Sequence, residues 1–289
     1  GSMTRKRWIE SLLDIACTQG AVWPRNSVPE WMCGAFRRRC ISFANGLTDT
    51  DTRVFWLQSG ALTIDLRLPL EYEQQAEPDN KADYEGWYAH SVWQHNLLDW
   101  QGGVSSLSEN RWPEPAELRR VGNCMMEFAP SSAYVEDWRL LNSVPGLFVG
   151  LELIGEEDLT TGASRELQGA LILAGDCMGA VINRPAEEFI TDIGELEGDE
   201  IIIRHSRDIQ RTGKAMFSAL FEADDGEFFH NTSQPEQIRL GAGQKSWSFR
   251  IDTLVGDFHF APGTSQPENA ERWFKQFQST LGRYLRRVV

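Results

Sequence analysis

The sequence predicts a mostly β protein: two antiparallel β-barrel domains with short N- and C-terminal helices. Three observations lead there. From about residue 31 to about residue 262, apolar side chains recur with a period of two in short segments bounded by turn residues. Helical spacing is confined to the two ends. So many strands with so few helices leave edges that must be paired or covered, which favours barrels over one large sandwich or open sheet.

Taken in order, Trp8, Ile9, Leu12, Leu13 and Ile15 predict an amphipathic helix over 4–18, followed by a loop with Gly20, Pro24, Asn26 and Pro29. Residues 1–28 form this leading segment. A first barrel is expected over 29–142, from "GAFRRRCISFANG", "DTRVFWLQ", "ALTIDLRLP", "WYAHSVWQHNLLDW", "GNCMMEFAP" and "AYVEDWRLL". The charged stretch "EYEQQAEPDNKADYEG" reads as a loop. "NSVPG" near residue 143 breaks the chain, and a second barrel is expected over 143–262. Its strands or hairpins are "LFVGLELIGEE", "GALILAGDCMGAVINRP", "TDIGELEGDEIIIRHSRD", "KAMFSALFEADDGEFFHN", "EQIRLGAGQKSWSFRID" and "GDFHFAPG". Within 263–289, Trp273, Phe274, Phe277, Leu281, Tyr284, Leu285 and Val288 make a helical stripe, with Pro267 suited to its first turn.

A net charge of −14 argues against nucleic acid or an anionic membrane as partner, since both need a basic footprint. No apolar run approaches the roughly 20 residues that span a bilayer. The five cysteines are odd in number and lack C-x-x-C, so reduced thiols and a cytoplasmic setting are expected rather than disulfides or a zinc knuckle. Eleven tryptophans are many for 289 residues, and they fit either aromatic-rich cores or an aromatic-lined cavity.

The stretch "FRRRCISFANGLTDTDTRVFWLQSGALTIDLRLP" resembles the start of a family of lipocalin-like (calycin) double-barrel proteins. Its members are bacterial and fungal and largely uncharacterised, and they include a yeast protein that interacts with a casein kinase. The resemblance is most specific at Trp56-Leu57-Gln58 and Asp65-Leu66-Arg67-Leu68-Pro69. "SVWQHNLLDW", "MMEF", "YVEDW" and "GALILAGDCMGAVINRP" are similar to later parts of that family, so the likeness runs over most of 36–260. It implies paired calycin-like barrels and no particular reaction.

Motifs for familiar chemistries are missing. "DTDTR" precedes an apolar strand, whereas an aspartyl-phosphatase motif must follow one. "GAGQKS" lacks the spacing of a phosphate-binding loop. There is no G-x-S-x-G or H-E-x-x-H, and the five histidines show no ligand spacing. No metal and no cofactor are expected.

Strand parity carries the functional reading. With Ser59-Gly60 as a two-residue turn, Trp56 and Gln58 share a face with Thr63, Asp65 and Arg67. Trp93, His95, Leu97 and Asp99 would share a face of one regular strand. Tyr134, Glu136 and Trp138 share another, and Glu127 lies mid-strand between Met126 and Phe128. Tryptophan or tyrosine alternating with ionisable groups suits an aromatic pocket with convergent polar groups. A plainer reading stands beside it: Asp65–Arg67 as a surface ion pair, His95 as a structural histidine, Glu136 and Tyr134 as strand-end ties.

These residues lead to three expectations. The first is a cofactor-independent enzyme acting on a small apolar or aromatic molecule. Glu127 or His95 would move a proton, and Tyr134 or Arg67 would stabilise negative charge. Trp56, Gln58, Asp65, Trp93, Asp99, Glu136 and Trp138 would contact the substrate. Isomerisation, cyclisation, elimination and hydration need only this equipment. The second is a non-catalytic small-molecule carrier or sensor, and the third a protein-interaction module. A homodimer is left open.

Overall fold

The computed structural model describes residues 7–69, 84–107, 113–141, 144–260 and 263–284. The expected charged loop falls largely outside these residues, as do Leu285 and Val288 of the C-terminal stripe. Helix α1 (Trp8–Gln19) buries Ser11, Leu12, Ile15 and Ala16 on one side. The chain then enters β1 (Gly34–Phe43), β2 (Thr48–Asp49), β3 (Arg53–Gln58), β4 (Leu62–Leu68), β5 (Glu85–Gln94) and β6 (Leu97–Ser105). These are followed by β7 (Ala116–Gly122), β8 (Cys124–Phe128) and β9 (Tyr134–Leu140).

Pairing follows chain order from β3 to β9, all antiparallel, and β1 bridges β3 and β9. The β7–β8 pairing closes the ring, so this half is a closed barrel with β2 as a short flap on β1. Closure removes the exposed edges that the strand-rich sequence had to manage.

The second half holds β10 (Gly146–Asp158), β11 (Ser164–Ala174), β12 (Cys177–Arg184), β13 (Glu188–Glu197) and β14 (Glu200–Ser206). After these come α2 (Met216–Phe221), β15 (Gly226–His230), β16 (Gln237–Ala242) and β17 (Lys245–Phe258). Their order is β14-β13-β12-β11-β10-β17-β16-β15, with β14 and β15 at the edges. Helix α2 packs on β14, and α1 packs on β15 and β17. All eight strands and both helices feed one apolar core that includes Leu12, Leu151, Ile182, Ile203, Leu220, Phe228 and Trp247. The chain returns to the barrel in β18 (Gly263–Thr264), which pairs with β7. It then forms α3 (Pro267–Tyr284), none of whose residues is buried. Among the described residues no helix is long and apolar enough to cross a membrane.

Three local expectations are corrected. "WYAHSVWQHNLLDW" is not one strand: His95 and Asn96, with φ of 54° and 60°, turn it into the β5–β6 hairpin. Two successive positive φ angles are what a tight primed turn demands, and asparagine suits it. "KAMFSALF" forms helix α2 because Met216, Phe217, Leu220 and Phe221 gather on one helical face and bury there. The β3–β4 turn is centred on Gly60-Ala61, where Ser59 N–H donates to the Leu62 carbonyl at 2.9 Å. Leu57 therefore lies opposite Ile64, and Trp56 opposite Asp65. The slip is two residues, so every side chain keeps its expected face.

That hairpin positions everything else. Phe55, Leu57, Ile64 and Leu66 point out of the barrel into a core shared with Ala170, Ile172, Val181 and Ile193 of the second sheet. The sheets approach closely here: a methyl group at Gly86 of β5 would lie 2.2 Å from Thr191 Oγ1 of β13. Burying each of these large side chains contributes about 1.5–3 kcal/mol. Polar ties flank the contact. Ser59 Oγ donates to Asp252 Oδ2 at 2.6 Å, Gly60 N–H to Thr253 Oγ1 at 2.9 Å, and Tyr88 OH to Glu152 at 3.1 Å. With the apolar face outward against the second sheet, the other face of β3 and β4 turns into the barrel.

Candidate functional site

The inward face collects chemistry from six strands. Trp56 of β3, Thr63, Asp65 and Arg67 of β4, Trp87 of β5, Trp100 of β6, Glu127 of β8 and Trp138 of β9 line one small cavity. Its free space is ≈ 20 Å³, room for about one water molecule. Arg67 and Trp100 are partly exposed and form its outer rim.

Cross-strand register explains the convergence. Trp56 opposes Asp65, Asp65 opposes Trp87, Met125 opposes Trp138, and Glu127 opposes Glu136. Directly opposed residues share a face of an antiparallel pair. The indoles pack edge to face: Trp56 on Trp138 with centroids 5.3 Å apart, and Trp87 on Trp100 at 5.9 Å.

A buried chain of polar groups runs beside them. Arg38 of β1 donates to Glu136 Oε1 at 2.9 Å and to Asp49 Oδ2 at 3.3 Å. Tyr134 OH donates to Glu127 Oε2 at 3.3 Å. Arg67 donates to both oxygens of Asp65, at 2.9 and 3.3 Å. Gln58 joins Trp56 Nε1, Thr63 Oγ1 and Ser91 Oγ at the far side.

Burial, and then the carboxylate of Glu136, push the Glu127 carboxyl well above the ordinary carboxylate range; Arg67 and Tyr134 only partly oppose this. Burial likewise raises Asp65, against the pull of Arg67. Burial works against the Arg67 charge, but Asp65 outweighs it, with help from Glu85 and Glu136, and the guanidinium is held more basic than usual. The barrel thus favours the protonated form of Glu127 beside an ion-paired Glu136. That is the equipment for delivering or accepting a proton.

Of the residues expected at a site, Trp56, Asp65, Arg67, Glu127 and Trp138 line the cavity, and Tyr134 and Glu136 are bonded or opposed to Glu127. Gln58 stands one layer back, holding the Trp56 indole. Three residues are not brought there. His95 is exposed in the β5–β6 turn, Asp99 is exposed on β6, and Trp93 packs edge to face on Trp31 outside the cavity lining. The turn at His95-Asn96 breaks the regular strand on which their shared face depended. Trp87, Trp100 and Arg38 belong to the site without having been singled out. Alternation from Phe36 reaches Arg38, and the correct turn places Trp100 opposite Ser91. Among the described residues, no group of three His, Cys, Asp or Glu is arranged to hold a metal.

No family model matches the chain. No curated protein matches it either. Among solved structures, it is similar at 12% identity to the beta chain of DNA polymerase III from Streptococcus pneumoniae TIGR4. The match covers 86% of this chain and 63% of that one, with a TM-score of 0.13. A likeness at that level carries no argument about fold or function.

Proposed function

We propose that the first barrel is the chamber of a cofactor-independent enzyme that performs acid/base chemistry on a small molecule. One observation carries the reading: Glu127 and Glu136 oppose each other inside a closed barrel, next to a cavity walled by four indoles. Glu127 is the proton donor and acceptor. Tyr134 orients it, and Arg38 holds Glu136 so that a proton leaving or reaching Glu127 has a fixed neighbour. The aromatic wall excludes water and positions an apolar or aromatic body. Isomerisation, cyclisation, elimination or hydration need no more than this. The barrel architecture supports the sequence resemblance to lipocalin-like proteins, and the chain's free cysteines suit a reducing cytoplasm.

The test is a tryptophan-fluorescence screen against small carbonyl and aromatic compounds, followed by turnover of the hits. Glu127→Gln is expected to keep affinity and lose turnover by about 10²–10⁴-fold. Equal turnover by the variant and the native chain overturns the reading, as does a screen in which no compound reaches the tryptophans.

A second reading, a carrier or sensor, draws support from the small size of the cavity: with ≈ 20 Å³ free, a ligand must displace an indole to enter. If Glu127→Gln lowers affinity alone and no compound is turned over, this reading replaces the first. A third, an interaction module, is favoured by α3, which leaves Trp273, Phe274 and Tyr284 exposed.

A further inference from the structure

The four indoles of the cavity are not equivalent. Trp56 Nε1 donates to Gln58 Oε1 at 3.0 Å, and Trp100 Nε1 donates to Thr63 Oγ1 at 3.1 Å. Trp87 and Trp138 are 4% and 2% exposed, and neither indole N–H has an acceptor among the described residues. Buried tryptophan N–H groups ordinarily find one. Nearby acceptors already have other donors: Arg67 bonds both oxygens of Asp65, Arg38 bonds Glu136 Oε1, Tyr134 bonds Glu127 Oε2, and Trp56 and Thr63 share Gln58 Oε1. The wall therefore carries two unmet donors beside a space the size of one water molecule.

We infer that the ligand of this barrel presents a neutral carbonyl oxygen, which accepts hydrogen bonds from the indole N–H groups of Trp87 and Trp138. The inference rests on the small-molecule reading above and names its ligand class. A carbonyl oxygen has two in-plane lone pairs and can take both donors. A neutral group fits better than an anion, because both guanidiniums near the cavity are already paired, Arg67 with Asp65 and Arg38 with Glu136. An apolar ligand would leave both N–H groups unsatisfied, and a site built to hydrogen-bond its ligand rejects such an analogue. The same donors would stabilise an enolate oxygen if Glu127, as carboxylate, removed a proton from the carbon next to the carbonyl: the C–H pair moves into the enolate, and the proton rests on Glu127 until it returns to that carbon.

Acetone and isobutene test this, because they share a shape and differ in whether an oxygen is present. Indole ¹⁵N–¹H spectra of the intact chain are recorded during titration with each, with resonances assigned by Trp87→Phe and Trp138→Phe. Acetone is expected to shift the Trp87 and Trp138 signals saturably, and by more than those of Trp56 and Trp100, whose N–H groups already have acceptors. Isobutene is expected to bind roughly tenfold or more weakly. Equal binding of the two probes, or saturable acetone binding without movement of the Trp87 and Trp138 signals, overturns the inference, as does no binding at all.

Exchange of acetone methyl protons in D₂O separates this inference from the enzymatic reading. Indole shifts with no Glu127-dependent exchange keep the carbonyl site and remove the enzyme. Glu127-dependent exchange without indole shifts does the reverse.

Discussion

Glu127 lies directly opposite Glu136 across β8 and β9, with Tyr134 bonded to the first and Arg38 to the second. The arrangement has a thermodynamic signature. Below the ordinary glutamate value of 4.5 both folded and unfolded chains carry the Glu127 proton. Above it the unfolded chain releases that proton first, so this group subtracts stability as pH rises towards its elevated folded value. Glu127→Gln should raise Tm by roughly 2–4 °C at pH 8 and leave it unchanged near pH 4. Thermal melts of the two proteins across that range check it.

His205 produces the opposite dependence on the outer side of the barrel. Burial, then Arg53, Arg37 and Arg204, lower it from 6.5 to about 4. The unfolded chain takes up the proton first on acidification. The neutral ring therefore contributes stability above pH 6.5 that is lost between 6.5 and about 4. Replacing His205 with Gln should flatten that part of the stability curve, measured by urea midpoints at half-unit pH steps.

Asp192 is fully buried and meets Arg211 through three contacts of 2.8–3.2 Å, with Ser206 Oγ at 2.7 Å. Removing one charge strands the other. Asp192→Asn should cost about 3–5 kcal/mol, and adding Arg211→Met should restore much of it. A double-mutant cycle in urea measures both. Melting of Asp192→Asn at the native temperature would show that the pair contributes little.

Gly86 sits where β5 crosses the second sheet. Gly86→Ala would place a methyl 2.2 Å from Thr191 Oγ1 and 2.7 Å from Thr191 Cβ. The backbone must shift, and a loss of about 1–3 kcal/mol is expected. Thr191→Ala in the same chain should rescue only part of it, because the Cβ remains. Differential scanning calorimetry distinguishes the three proteins.

Helix α3 buries none of its residues. Truncation after Gln266 should therefore leave Tm within about 1 °C of the full chain while removing the exposed Trp273, Phe274 and Tyr284. A larger fall would show that the helix covers the body in solution.

The sequence made the barrel and half of its interior legible through alternation alone. Trp56, Asp65 and Arg67 are strand residues whose parity survives a two-residue register slip, and Glu136 and Trp138 keep the plain alternation of β9. What it hid were departures from alternation. The paired positive φ angles at His95 and Asn96 ended a strand that looked continuous, removing His95 and Asp99 from the site and concealing Trp100. β7, which closes the ring, reads as a charged stretch because Glu117 and Arg119 face outward. The second sheet's helix α2 has too few residues for periodicity to separate it from a buried strand.

The hairpin of β3 and β4 divides cohesion from chemistry. Its apolar wall, Phe55, Leu57, Ile64 and Leu66, adheres to the second sheet, while its charged wall faces the lumen. Separating the two halves would bare that wall to water. The lumen gains latitude in return. Substitutions there can change the lumen's charged and aromatic groups without loosening the joint that keeps the molecule together.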